Sequence, residues 1–285
     1  MINIFAALIM LIKKFIYQIW QVLNKIIWCL SGGRREKAMG LSLNLHANTV
    51  WPGRRGLRLP NDNCRSKIVA YADLVQAHAV CNAIEHLKNP VIIDVGAHHG
   101  EYAVLLGGLL KQNNLGGGVL LAIEPDAANI AILKENVQRN HLQDIVNIVE
   151  CAVSDFTGEM DFVSRGSEGY LLPENQEAKR GLSKIKVETL HDIICQFNLT
   201  KVDLLLIDVE GAELPVLKGF PWETMKPVMI LCELHPYNWP IFGSTGKEME
   251  KFLKEHNYRC LDMYLHEHSS FKKPDYIGPC LFLSR

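Results

Sequence analysis

None of the eight cysteines (Cys29, Cys64, Cys81, Cys151, Cys195, Cys232, Cys260 and Cys280) forms a Cys-x-x-Cys pair, so neither the usual thiolate zinc site nor a disulfide framework is expected. Cys232 and Cys280 fall inside apolar runs, and the set reads as buried free thiols in a reducing compartment. An excess of charge is also missing. A formal net charge of −1 withholds the basic footprint of a dedicated nucleic-acid binder, and no nucleic-acid partner is expected. No internal repeat or low-complexity tract is present. One further absence is local: the first glycine-bearing loop has no glycine where a dinucleotide would need it.

That loop lies in Val91-Ile-Ile-Asp-Val-Gly-Ala-His-His-Gly100, which is followed at strand-helix-strand distance by Leu120-Leu-Ala-Ile-Glu-Pro125. The β-branched apolar run reads as a buried parallel strand, and Gly96 and Gly100 open a tight turn into a helix starting near Glu101. The dinucleotide fingerprint places a second glycine two residues after the first, so that a pyrophosphate can approach the backbone; here His98 holds that place. A diphosphate fits poorly. Asp94 suits an ammonium group instead, and Glu124, ending the second strand, can accept both hydroxyls of a ribose. Ammonium, ribose and no phosphate describe S-adenosylmethionine.

Further strands follow in order. Residues 144–150 run into Cys151-Ala-Val-Ser-Asp155, where Ala152 and Asp155 bracket an adenine between backbone groups and a carboxylate. Residues 202–207 form a fourth strand that ends in Asp208, Glu210 and Glu213, and residues 228–235 a fifth that ends in Glu233 and His235. Ligands of an open parallel sheet sit beyond the carboxyl ends of its strands, so these polar residues share one rim. The alternation predicts an α/β, doubly wound, mostly parallel sheet with residues 91–95 central and an antiparallel strand over 277–283 beside the fifth. Residues 159–163 and 183–187 read as a strand pair within a loop-rich region, 156–186, that should supply acceptor contacts. Residues 247–257 read as a helix, 258–265 as a closing strand, and His266 and His268 as a surface loop.

The ordered set Asp94-Val-Gly-Ala-His-His-Gly100, Ile123-Glu-Pro125, Ala152-Val-Ser-Asp155, Ile207-Asp-Val-Glu-Gly-Ala-Glu213 and Glu233-Leu-His235 resembles the FkbM-type methyltransferases, a branch of the class I S-adenosylmethionine-dependent enzymes. The resemblance runs from about residue 91 to 236. It implies a Rossmann-like, seven-stranded sheet and O-methylation of hydroxyls on sugars, polyketides or other secondary metabolites, without picking the acceptor. Cofactor contacts are then expected at Asp94, Gly96, Ala97, Gly100, Glu124, Pro125, Ala152, Asp155 and Asp208. His98 and His99 depart from the pattern, since such loops more often carry a small or amide residue followed by an apolar one.

Methyl transfer is an in-line displacement in which an acceptor oxygen attacks the methyl carbon of a sulfonium. An aliphatic hydroxyl is a poor nucleophile, so a positioned base helps. Asp208, Glu210, Glu233 and His235 sit where that base belongs: Asp208 or His235 takes the proton, and Glu210 and Glu233 position the acceptor. Acids crowded on one rim repel one another, which raises their proton affinity or recruits a cation. A divalent metal held by Asp208, Glu210 and a third ligand is the less favoured reading, because Glu210 and Glu213 can equally cap the following helix. The alternative from another class is a methyltransferase-like scaffold that keeps the fold without turnover. A nicotinamide-dependent oxidoreductase is disfavoured by His98.

Residues 1–30 differ from the rest. At about 100° per residue, Asn3, Lys13, Lys14, Gln18, Gln21, Asn24 and Lys25 fall on one side, and Phe5, Leu8, Ile12, Phe15, Ile16, Ile19, Leu23 and Ile26 on the other. The first apolar run stops at Lys13, too short for a bilayer, and no basic stretch precedes it as in a secretory signal. Tyr17, Trp20, Trp28 and the lysines suit a helix lying in the headgroup layer; a tilted or hairpin span, or packing on the domain or a second subunit, are the other readings. Residues 31–65 read as a connector with at most a short hairpin around Trp51-Pro-Gly53, and 66–285 as the methyltransferase domain, opening with a helix over 66–87. The expected location is the cytoplasmic face of a membrane, with a small-molecule, glycan or lipid-linked acceptor. Deleting residues 1–30 is expected to abolish flotation with anionic liposomes while cofactor binding persists. Equal flotation of both forms makes the segment a packing element.

Overall fold

The computed structural model describes residues 33–38, 41–46, 80–81, 84, 87–112, 117–164, 169–172, 182–262, 267–268, 270–271 and 278–284. The expected helix over 1–30, most of that over 66–87, the turn at residues 51–53 and His266 lie outside them. Among the described residues no helix is long and apolar enough to cross a membrane. A hairpin does occur in the expected connector, but upstream of the anticipated place: β1 (Gly33–Ala38) pairs antiparallel with β2 (Leu41–His46). Leu41, Leu43 and Leu45 alternate with Ser42, Asn44 and His46, the period-two pattern of a strand that the composition of the segment had obscured.

Three parallel strands follow, β3 (Val91–Val95), β4 (Val119–Ile123) and β5 (Val146–Val149), connected by α1 (Glu101–Gln112) and α2 (Ala127–Arg139). The Asp126 carboxylate caps α2 by accepting from the backbone N–H of Ala128 and Asn129. A smaller sheet comes next, from β6 (Ala152–Val153), β7 (Gly158–Val163), β8 (Tyr170–Leu172) and β9 (Leu182–Glu188) in the order β6-β9-β7-β8. It contains the anticipated strand pair as β7 and β9. Helix α3 (Leu190–Gln196) leads to β10 (Leu204–Ile207), α4 (Glu213–Lys218) to β11 (Met229–Leu234), and α5 (Gly246–Glu255) to β12 (Tyr258–Leu261), the two-residue β13 (Glu267–His268) and β14 (Gly278–Ser284). His268 thus pairs with Cys260 in an edge strand, whereas the sequence reading put it on a loop.

The main sheet runs β13-β12-β14-β11-β10-β3-β4-β5, seven strands of the expected α/β fold with β13 added at the edge. β5, β4, β3, β10 and β11 are mutually parallel, and β14 enters antiparallel between β11 and β12. Successive side chains of a strand point to opposite faces, and both faces here are buried. Ile93, Val95, Leu205 and Ile207 pack with α3, α4 and α5 through Ile193, Leu217 and Phe252. Ile92, Leu204 and Leu206 pack with α1 and α2 through Leu106 and Leu133. Pairing places Val95 opposite Ile123 and Ile207, and Ile207 opposite Cys232. Gly96, Glu124, Asp208 and Glu233 are therefore the next residues of four adjacent strands.

Candidate active site

A cavity opens above that row. It is lined by Asp94, Gly96, Ala97, Glu124, Pro125, Ala152, Asp208, Glu210 and Glu233, so nine of the twelve residues named from sequence as cofactor or catalytic groups meet there. The two loops can touch because residue 96 has no side chain: a Cβ at Gly96, whose φ is +82°, would lie 1.9 Å from the carbonyl oxygen of Asp208. Gly100 is not on the cavity wall; it starts α1, its amide bonded to the Ala97 carbonyl. Asp155 is not on the wall either. It is exposed, accepts from the neighbouring Ser154 hydroxyl, and borders a separate groove with Thr157, His191 and Asp192.

Three buried carboxylates near the row are held in three different ways. Glu124 accepts from the backbone N–H of His98 at 2.9 Å, that of Asp126 at 3.0 Å and the side-chain amide of Asn129 at 3.1 Å. Burial raises its pKa, against these bonds and the nearby His98 ring. Asp94 is 5% exposed, and its Oδ2 has no hydrogen-bond partner among the described residues. Burial, then the charges of Glu101, Asp208 and Glu124, push its pKa up to about 8. Glu213 is wholly buried; its Oε1 accepts from Gly211 N–H at 2.9 Å and His235 Nδ1 at 2.8 Å, and its Oε2 from the Trp239 indole at 2.7 Å.

His235 does not reach the cavity wall. It sits 3% exposed beneath Asp208, Glu210 and Glu233, with Nε2 turned toward them. Burial would lower its pKa, but the Glu213 bond and the charges of Asp208 and Glu210 prevail and hold it at about 10. The ring therefore carries a proton at neutral pH, which removes it from service as a general base. Of the acids, Asp208 is the open one, its side chain 53% exposed, against 27% for Glu233 and 20% for Glu210. Glu210 has φ +52°, and its carbonyl accepts from the Asn238 side chain at 3.0 Å.

Sequence reasoning passed over several residues here. Glu213 and Trp239 anchor His235, and Tyr102, Asn129, Phe162, Leu171 and Pro279 line the cavity. Phe162 and Leu171 do come from the region expected to contact the acceptor. Pro279 arrives through the antiparallel register of β14, directly opposite Glu233. His98, the departure in the loop, has φ +48°; its ring stacks on His99 at 3.7 Å and lies 3.4 Å from Glu101. Burial alone would lower its pKa, but Glu101, Glu124 and Asp208 raise it.

Comparison with known proteins follows the same segment. A family described as the Methyltransferase FkbM domain matches residues 94–260. The chain is 29% identical over 202 residues to "Methyltransferase sdnD" of Sordaria araneosa, covering 58% of this chain and 75% of the relative. It is 30% identical over 161 residues to "2-O-methyltransferase NoeI" of Sinorhizobium fredii, covering 51% of this chain and 63% of the relative. The crystal structure of methyltransferase FkbM from Methylobacillus flagellatus is similar at a TM-score of 0.43 and 18% identity, over 81% of this chain and 57% of that one.

Replacing Glu213 by alanine strips the partner from three buried donors at once. Removing one member of a buried charged pair typically costs about 3–5 kcal/mol, so Glu213→Ala is expected to lower the unfolding free energy by an amount of that order, read as a lower urea midpoint. A midpoint within error of wild type would show that the anchor carries no stability.

Proposed function

The chain belongs to the FkbM methyltransferase family, and from that premise we propose that it is an S-adenosylmethionine-dependent O-methyltransferase acting on a hydroxyl of a glycan, glycolipid or secondary metabolite. Asp94 is the observation that carries the reading. A carboxylate 95% buried, near a strand end, on a cavity wall and with an oxygen that none of the described residues satisfies, is an uncompensated cost unless a ligand brings the donor. An ammonium group is that donor.

Asp94 pairs with the amino group of the cosubstrate, and Glu124 takes the ribose hydroxyls with the acceptor capacity its three N–H bonds leave. Ala152 and its neighbours Cys151 and Val153 flank the adenine. When bound, S-adenosylmethionine supplies an electrophilic methyl group: the acceptor oxygen bonds to its carbon as the carbon–sulfur bond breaks, and that electron pair stays on sulfur. Asp208, the exposed acid of the rim, takes the hydroxyl proton, while Glu210 and Glu233 orient the acceptor. The printed name of the NoeI relative supports oxygen as the atom methylated. Residues 1–30 hold the enzyme at the cytoplasmic face of a membrane, a reading supported by their amphipathic pattern. The scaffold alternative makes the opposite forecast for an assay with labelled S-adenosylmethionine and a lipid and glycan extract, since it leaves every acceptor unlabelled.

Loss of a charged acceptor typically costs about 1.5–3 kcal/mol, more than tenfold in affinity. Glu124→Ala is accordingly expected to weaken S-adenosylhomocysteine binding by more than tenfold in calorimetry. An unchanged dissociation constant removes the ribose contact.

Asp94 supplies a pH signature. With a pKa of about 8 in the free protein, it is mostly protonated at pH 7, and only its ionised form pairs with an ammonium group. Binding then expels a proton from Asp94, so affinity rises as pH is raised from about 6 toward the pH at which the ligand's own amino group loses its proton. Calorimetry of S-adenosylhomocysteine at pH 7, in buffers of different ionisation enthalpy, should register release approaching one proton. Absence of release detaches Asp94 from the ammonium group.

A further inference from the structure

Carboxylate oxygens that converge on an imidazole nitrogen call for a proton or a metal cation between them. Beyond the ends of β10 and β11, Nε2 of His235 faces Glu210 Oε2 at 3.5 Å, Asp208 Oδ1 at 3.9 Å and Glu233 Oε1 at 4.0 Å. One ligand atom each from Asp208, Glu210 and His235 lie within 4.8 Å of one another. Around a small divalent ion with bonds near 2.1 Å, ligand atoms stand about 3–3.5 Å apart. Small rotations of the Asp208 and Glu210 side chains bring the cluster to that spacing.

The imidazole gives the cluster more than acidity. His235 is 97% buried, and its Nδ1 is fixed at 2.8 Å by Glu213, itself locked by the Gly211 amide and the Trp239 indole. A carboxylate that holds one ring nitrogen and so aims the other is the arrangement by which proteins orient a histidine ligand. Here the aimed nitrogen faces the three carboxylates. We propose that Asp208, Glu210 and His235 bind one divalent first-row transition-metal ion, with Glu233 beside it and the remaining coordination positions open to the cavity.

One imidazole among carboxylates suits Mn²⁺, Fe²⁺ or Zn²⁺ better than Ca²⁺, which takes oxygen alone. A proton on Nε2 and an ion are alternatives for one position. The ion's part in catalysis rests on the function proposed above, whereas its binding does not: an acceptor hydroxyl on the ion would lose its proton more readily, with the second Asp208 oxygen to receive it.

The test is a Mn²⁺ titration of the full-length, chelator-stripped protein, followed by calorimetry and by the electron paramagnetic resonance of free Mn²⁺. One ion per chain is expected, with affinity lowered at least tenfold in Asp208→Asn and in Glu210→Gln, and by roughly ten- to a hundredfold in Glu213→Gln through the histidine it orients. Asp208 is exposed, so its variant folds and the comparison holds even where a buried substitution unfolds the chain. No saturable binding to wild type, or equal binding to wild type and Asp208→Asn, overturns the site. S-adenosylhomocysteine titrated into the same sample separates the two readings: Mn²⁺ binding without it upholds the ion site and sinks the cosubstrate assignment, and the reverse result sinks the ion site alone.

Discussion

Burial on both faces keeps ionisable side chains out of the central strands except near their carboxyl ends, where Asp94 and Glu233 sit, so the charges near the middle of the sheet collect at one rim. Register then decides where the charges gather. Val95, Ile123, Ile207 and Cys232 stand in one row, and the residues after them become neighbours whether or not their charges agree. Three of those four positions are acidic, and the fourth is the glycine whose bare backbone lets the Asp208 carbonyl come close. An acidic site is the direct consequence of a parallel sheet in this register.

The strands of that sheet were legible because a doubly buried strand is an uninterrupted apolar run, and the rim residues followed because each run stops at an acid. Even the antiparallel β14 was readable, since Gly278–Ser284 carries the same pattern. Three things were not. The hairpin at Gly33–His46 was hidden by glycine and arginine in a segment whose strand signal is confined to alternate leucines. Asp155 follows β6 at a turn, and a sequence does not say on which side of a turn a carboxylate leaves. Glu213 was visible within its acidic motif but read as a possible helix cap; that it instead anchors His235 depends on Trp239 and His235, more than twenty residues onward, folding back over it.

The three buried carboxylates show how the protein manages the charge it concentrates. Glu124 is surrounded by N–H donors from its own loops, Glu213 is paired with an imidazole and an indole, and Asp94 keeps an oxygen without a donor. A buried acceptor left unsatisfied destabilises the free protein, typically by about 1–3 kcal/mol. The function proposed for the chain gives that cost a purpose, because it assigns the missing donor to the ligand.

The vertical arrangement of the site matters as much as its charge. Glu213, Trp239 and His235 form a wholly buried base whose hydrogen bonds leave it one conformation, while Asp208 above them is half exposed and Glu233 and Glu210 lie between. A displacement along one line tolerates little error in the approach of the attacking atom, so groups that orient it must themselves be fixed. Fixing them from below leaves the upper side free to differ. That side is lined by Phe162 and Leu171, which pair with each other across β7 and β8 of the small sheet. In the proposed function the main sheet carries the chemistry and the small one the acceptor contacts, and the residues of the small sheet carry no motif that names the molecule modified.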